Sequence, residues 1–224
     1  MSDRSRRFSA IGLGLALIAL ALAGPLWSQA KVGGSASSGS ITPAQLTADK
    51  SLGSRQAPIT IEVFADYQCP QCRNFYETVT RQLIDTYVNT GKVYLVHRDF
   101  PLSMHSHSHE AAHWLNAAAA AGFYAPVEQA LYDKQDEWGP TGKIEPILMG
   151  VLSPADMKKV KLIESTEGSQ LDAAVASDIA AGMSLHVEGT PTIFVHHAGK
   201  TEELPTGGVS YPLLKQYLDY LLQH

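Results

Sequence analysis

Ile59-Thr60-Ile61-Glu62-Val63-Phe64-Ala65-Asp66-Tyr67-Gln68-Cys69-Pro70-Gln71-Cys72 changes its periodicity midway. Residues 59–65 are β-branched and apolar and read as a buried strand. Beyond them, Cys72, Phe75, Tyr76, Val79, Leu83 and Tyr87 recur at helical spacing. Pro70 suits the first turn of that helix, where its missing N–H leaves no bond unmade. The local structure expected is strand, turn, helix, with Cys69 at the helix N-terminus and Cys72 opening its apolar face. Cys72 should therefore be buried and Cys69 exposed.

These are the only two cysteines in 224 residues. A disulfide used as a staple gains most by closing a long loop, and this pair closes almost nothing. A zinc site usually needs two such pairs, or one pair and two histidines at set spacing. Reversible disulfide chemistry fits the spacing best, with metal and staple as its rivals. The nucleophile in that chemistry is the thiolate. Unpaired N–H groups and the positive end of the helix dipole favour the anion at Cys69. Thiol pKa values in such settings fall to roughly 3.5–7.5 from about 8.5. A more stable thiolate makes the disulfide a stronger oxidant. Cys69 is the expected attacking sulfur and Cys72 the resolving one, with Pro70 and Gln71 as the turn that tunes the thiolate.

Further along, Lys92 to His97 reads as a second strand, followed by Arg98-Asp99-Phe100-Pro101-Leu102. An Ala-rich helix is expected from about Ser108 to Ala121, with helical segments continuing to about Met183. Gly189-Thr190-Pro191-Thr192 then leads into the strand Ile193-Phe194-Val195. A hairpin from about Pro191 to Leu204 turns near Gly199. Tyr211 to Leu222 closes the chain as an amphipathic helix, with Leu214, Tyr217, Leu218 and Leu221 toward the sheet.

Three motifs in this order, Phe64 to Cys72, Arg98 to Leu102 and Gly189 to Thr192, resemble the DsbA-type family of thioredoxin-like disulfide oxidoreductases. The resemblance covers about residues 57–222. It implies an α/β thioredoxin-like fold, β-α-β, a helical insertion at about 105–183, then β-β-α, around a mixed central sheet. It implies a cis bond before Pro191, beside the cysteines. Proline there keeps the backbone from completing a ladder. Thr190 and Pro191 would then bind substrate, Thr190 offering its N–H and C=O to an extended segment. The implied activity is that of a dithiol oxidase: Cys69 forms a mixed disulfide with thiols of exported proteins and Cys72 releases it. A membrane quinone-linked partner would reoxidise the pair, and no cofactor or metal is implied. A reductase or isomerase using the same site is the alternative. Two positions depart from the family pattern: Gln71 stands where histidine is frequent, and Val63 where relatives often carry glutamate. Glu62 points to the opposite face, because side chains alternate along a strand. It reads as a polar rim residue, or else as a buried proton-transfer group.

The remaining segments bear on location and partners. Arg4, Arg6 and Arg7 precede an unbroken apolar run from Ile11 to Ala23, and Ser28-Gln29-Ala30 offers small residues for cleavage. Residues 1–30 therefore read as a signal peptide, or as a membrane anchor through residues 8–27. Residues 31–56 read as a flexible Gly/Ser-rich linker, and 57–224 as the folded domain. The expected location is extracytoplasmic, periplasmic or membrane-anchored facing outward. A net charge of −5 argues against nucleic acid as a partner. His105, His107, His109 and His113 raise a non-catalytic, metal-handling alternative. The plainer expectation makes Ser106 or Ser108 a helix N-cap, with His105 and His107 solvated.

Overall fold

A computed structural model describes residues 40–205 and 209–224. The expected signal or anchor segment lies outside these residues. The chain enters through α1 (Pro43–Asp49), where Pro43 fills the first turn and Thr42 Oγ1 accepts from Gln45 N at 3.2 Å. Strand β1 (Ser51–Leu52) follows and pairs antiparallel with Leu95 and Val96, farther along the chain. This corrects the expectation of a flexible linker as far as residue 56. Leu46 is fully buried and Lys50 is buried beside it in sequence, so this stretch is part of the core. Its one fully buried apolar side chain is Leu46, and its lysine is held by carboxylates far along the chain.

Strand β2 (Ile59–Ala65) then leads through a tight loop into α2 (Pro70–Phe75). The helix continues through a π-helical turn (Tyr76–Thr80), α3 (Arg81–Leu83) and a second π-helical turn (Ile84–Val88). Strand β3 (Val93–Asp99) lies parallel to β2. The insertion consists of α4 (Ser108–Ala120), α5 (Tyr124–Asp133), α6 (Gln135–Trp138), α7 (Glu145–Met149) and the long α8 (Pro154–Ser184). The last of these is broken at Glu167, whose backbone is non-helical. Strands β4 (Thr192–His197) and β5 (Lys200–Glu203) form the hairpin, and α9 (Tyr211–Leu221) closes the fold. Ala198 and Gly199 make its two-residue turn with φ of 47° and 78°, the left-handed backbone such turns require.

The sheet order is β1-β3-β2-β4-β5, parallel only between β2 and β3. The expected order β-α-β, helical insertion, β-β-α holds, with α1 and β1 added in front. Alternation divides β2 between two cores. Ile59, Ile61, Val63 and Ala65 pack with the cysteines and the motif helix. Phe64 faces the other way and meets Phe100 and Phe194 edge to face, with ring centroids 6.1 and 5.9 Å apart. Gly182 of α8 sits against this aromatic group so closely that a Cβ would lie 2.6 Å from the Phe100 ring. Leu214 and Leu218 of α9 are buried, with Tyr217 and Leu221 half-buried beside them. Among the described residues no helix is long and apolar enough to cross a membrane.

Candidate active site

Cys69 is the residue that caps α2, with an extended backbone at φ −73° and ψ 122°. Its N–H donates to Asp66 O at 3.1 Å and its carbonyl accepts from Arg73 N at 3.2 Å. Pro70 and Gln71 are exposed at the helix tip, while Cys72 turns inward and is 1% exposed. Both cysteines are free thiols, and Asp66 N donates to Cys72 Sγ at 3.4 Å. Cys69 is not the open thiol expected: it is only 6% exposed. The cause is the Thr190–Pro191 segment, whose peptide is cis and whose Thr190 carbonyl lies 3.5 Å from Cys69 Sγ. A helix tip read from sequence has no roof, and here a segment 121 residues away supplies one. The cover is thin, since the next two residues stand in solvent.

The two sulfurs are driven in opposite directions. The hydrogen bond from the Cys72 thiol, outweighing burial, lowers Cys69 from 9.0 to about 5, and the Thr190 side chain and the Cys72 and Gln71 N–H groups act in the same sense. Burial first, and the neighbouring Cys69 second, push Cys72 well above its ordinary value. At neutral pH the reduced pair is one thiolate and one thiol.

Sequence reasoning missed the residues that hold the loop. Asp66 is buried; its Oδ1 accepts from Gln68 N (2.7 Å) and Ser108 Oγ (2.6 Å), its Oδ2 from Leu102 N (2.8 Å). His105 Nδ1 lies 2.8 Å from the same Oδ2. Gln68 bonds Gly139 O and His107 N, both at 2.8 Å. Gln135 Nε2 donates to Tyr67 O at 2.7 Å and to Cys69 O at 3.1 Å. The insertion therefore clamps the cysteine loop from one side while the Thr190 segment covers it from the other. A charged residue three places before Cys69 was the available signal for Asp66.

The histidines also differ from expectation. His107 occupies the N-cap of α4 without a side-chain cap bond, and the Ser108 hydroxyl goes to Asp66 instead. His105 is held by Asp66 rather than solvated, and His113 Nδ1 lies 2.7 Å from Asp172 Oδ1. Among the described residues no group of three or more His, Cys, Asp or Glu is arranged to hold a metal. Glu62 is neither a solvated rim residue nor near the thiols: it pairs with Arg98 Nε at 2.6 Å and His196 Nε2 at 3.3 Å on the far face of the sheet. A surface depression of about 240 Å³ adjoins the helix tip, bordered by Gln71, Phe75, Pro191, Ile193 and Val209.

Comparison with known proteins agrees with this geometry. A family profile described as thioredoxin matches residues 46–206. The probable disulfide bond formation protein D of Bacillus cereus is 26% identical over 152 residues, covering 66% of this chain and 69% of that protein. A thioredoxin-like oxidoreductase from Silicibacter pomeroyi superposes with a TM-score of 0.62 at 25% identity, over 78% of this chain and 92% of that one. Alpha-DsbA1 of Wolbachia pipientis superposes with a TM-score of 0.62 at 19% identity, over 78% and 90% respectively.

Proposed function

The chain belongs to the thioredoxin family in its DsbA-type form and is a protein-disulfide oxidoreductase, and on that premise we propose that it works outside the cytoplasm as a dithiol oxidase. Oxidised, the protein carries a Cys69–Cys72 disulfide. A substrate thiolate attacks Cys69 Sγ, the Cys69–Cys72 bond breaks, and Cys72 leaves as the displaced sulfur. A second substrate thiolate then attacks the substrate sulfur of the mixed disulfide and releases Cys69 as a thiolate. The substrate loses two electrons and gains a disulfide, and the protein is left as the dithiol. Thr190 offers its backbone to an extended substrate segment across from Cys69, by strand addition. Pro191 and the adjoining depression receive the flanking side chains, and Pro70 and Gln71 set the helix tip that stabilises the thiolate. A membrane quinone-linked partner reoxidises the pair. Residues 1–30 direct export or anchor the chain.

The observation that carries this reading is the opposed thiols. Cys69 at about 5 makes the dithiol form the comfortable one, so the disulfide readily accepts electrons. The exposed Gln71 supplies no positive charge, which favours a milder couple and keeps a reductase as the second reading. The decisive experiment equilibrates purified protein with glutathione redox buffers and reads its thiols by alkylation. A strongly oxidising couple supports the oxidase, and a strongly reducing one turns the assignment to the reductase. Absence of any reversible couple rejects both.

A further inference from the structure

The wall behind Cys72 is largely apolar, yet buried polar and charged side chains are set into it. Val63, where a strand carboxylate could have faced the thiol, is apolar, and its register partner on β3 is His97. His97 is 5% exposed, with Nε2 2.6 Å from Tyr67 Oη and 3.5 Å from Asp99 Oδ1, and Nδ1 3.4 Å from Glu128 Oε1. Glu128 is itself buried and accepts from Tyr124 Oη at 2.5 Å. Asp99 pairs with Lys50 and accepts from Asn116 Nδ2 at 2.8 Å. A cavity of about 20 Å³ has Cys72, His97, Glu128, Tyr76, Tyr132 and Lys50 in its walls. That is room for a single water, and the thiol, imidazole and carboxylate set among otherwise apolar walls give it partners.

A buried ionic cluster of this kind is weak evidence for stability, because apolar residues of equal volume do as well or better. Its position beside the thiol suggests a different role. We propose that His97, held between Glu128 and Asp99, is the proton donor and acceptor for Cys72, acting through one water in this cavity. The inference deepens the oxidoreductase reading and rests on it. When a substrate thiolate breaks the Cys69–Cys72 bond, Cys72 leaves with the electron pair of that bond. The imidazolium of His97 passes a proton through the water to the sulfur, giving a thiol and a neutral imidazole. Reoxidation by a disulfide-bearing or quinone-linked partner runs the transfer backward, and His97 takes the proton as Cys72 attacks.

The surrounding charges suit this direction. Facing His97 are Tyr67 from the cysteine loop, Asp99 from its own strand and Lys50 from the α1–β1 corner. From α5 come Tyr124, Glu128 and Tyr132, and from the motif helix Cys72 and Tyr76. Burial pulls the imidazole down, but Asp99 and Glu128 outweigh it and raise His97 above 6.5. Burial and the neighbouring Cys69 push Cys72 well above its ordinary value, so the nascent thiolate is a ready acceptor for the imidazolium proton.

The test follows reduction of the Cys69–Cys72 disulfide by dithiothreitol across pH in stopped flow, with the rate divided by the thiolate fraction of the reductant. In the native protein this corrected rate should fall as pH rises through the His97 transition. His97→Asn should lower it by about tenfold or more at the acidic end and leave it flat with pH. Loss of the solvent deuterium effect should accompany that change. Should H97N not fold, Glu128→Gln keeps the histidine and removes one of its anions, moving the break to lower pH. The relay is overturned if native protein shows no break, if folded H97N keeps the native profile, or if E128Q leaves the break in place. Failure of the native protein to form any reversible disulfide instead removes the oxidoreductase reading itself.

Discussion

The chemistry of Cys69 is decided within a few ångströms, by what donates to its sulfur. Titrating the reduced protein by thiolate ultraviolet absorbance should give a step centred near pH 5, from one sulfur only. Cys69→Ser should abolish that step, and a midpoint at the ordinary thiol value would refute the assignment. Gln71 is exposed at the tip, so Gln71→His adds an imidazolium near the helix start without disturbing the core. It should lower the midpoint by about half a pH unit and make the couple more oxidising in the glutathione assay. The placing of Cys69, Pro70 and Cys72 on a strand, turn and helix was legible in the sequence, because it depends on local spacing. Asp66, Gln135 and the cover over Cys69 were not, since each depends on partners dozens of residues away that only the folded chain brings near.

Elements with strong periodicity, β2, α4, the β4–β5 hairpin and α9, could be placed from the sequence within a residue or two. α1 could not: seven residues with one buried leucine present no repeat, and a preceding Gly/Ser stretch disguised it. The π-helical turns were equally hidden, because they change the twist of the motif helix without altering its apolar list. Leu46→Ala tests whether α1 belongs to the core. It should cost about 2–4 kcal/mol in denaturant unfolding, the usual loss for a buried leucine, whereas a dispensable tether would lose almost nothing. Gly182→Ala probes the opposite problem, since the added methyl meets the Phe100 ring of a neighbouring element. A loss of roughly 1–3 kcal/mol is expected, with α8 pushed off the sheet.

Over the whole molecule, thiol ionisation and folding are linked. Cys69 has a depressed value in the folded reduced state, about 5, so its stabilising contribution is present above the unfolded thiol value and drains away as pH falls through 5. Each pH unit in that interval is worth about 1.4 kcal/mol. The stability of reduced relative to oxidised protein should therefore grow by roughly 2–3 kcal/mol between pH 5 and pH 7. Paired chemical denaturation curves of the two forms would show it, and parallel pH dependences would contradict it. His97 has the reverse sign: its value is raised, so its contribution holds below the ordinary histidine range and is lost as pH climbs through the folded value. Because the imidazole is present in both redox forms, most of that loss cancels in the difference.

The sheet's outer margins carry one more implication. One rim is a two-residue strand, and the other is Lys200-Thr201-Glu202-Glu203, all four side chains in solvent. Short or charged rims give a foreign strand little to zip onto. A protein-disulfide oxidoreductase, whose work brings it against other polypeptide chains, thus offers them little to fasten onto along these two flanks.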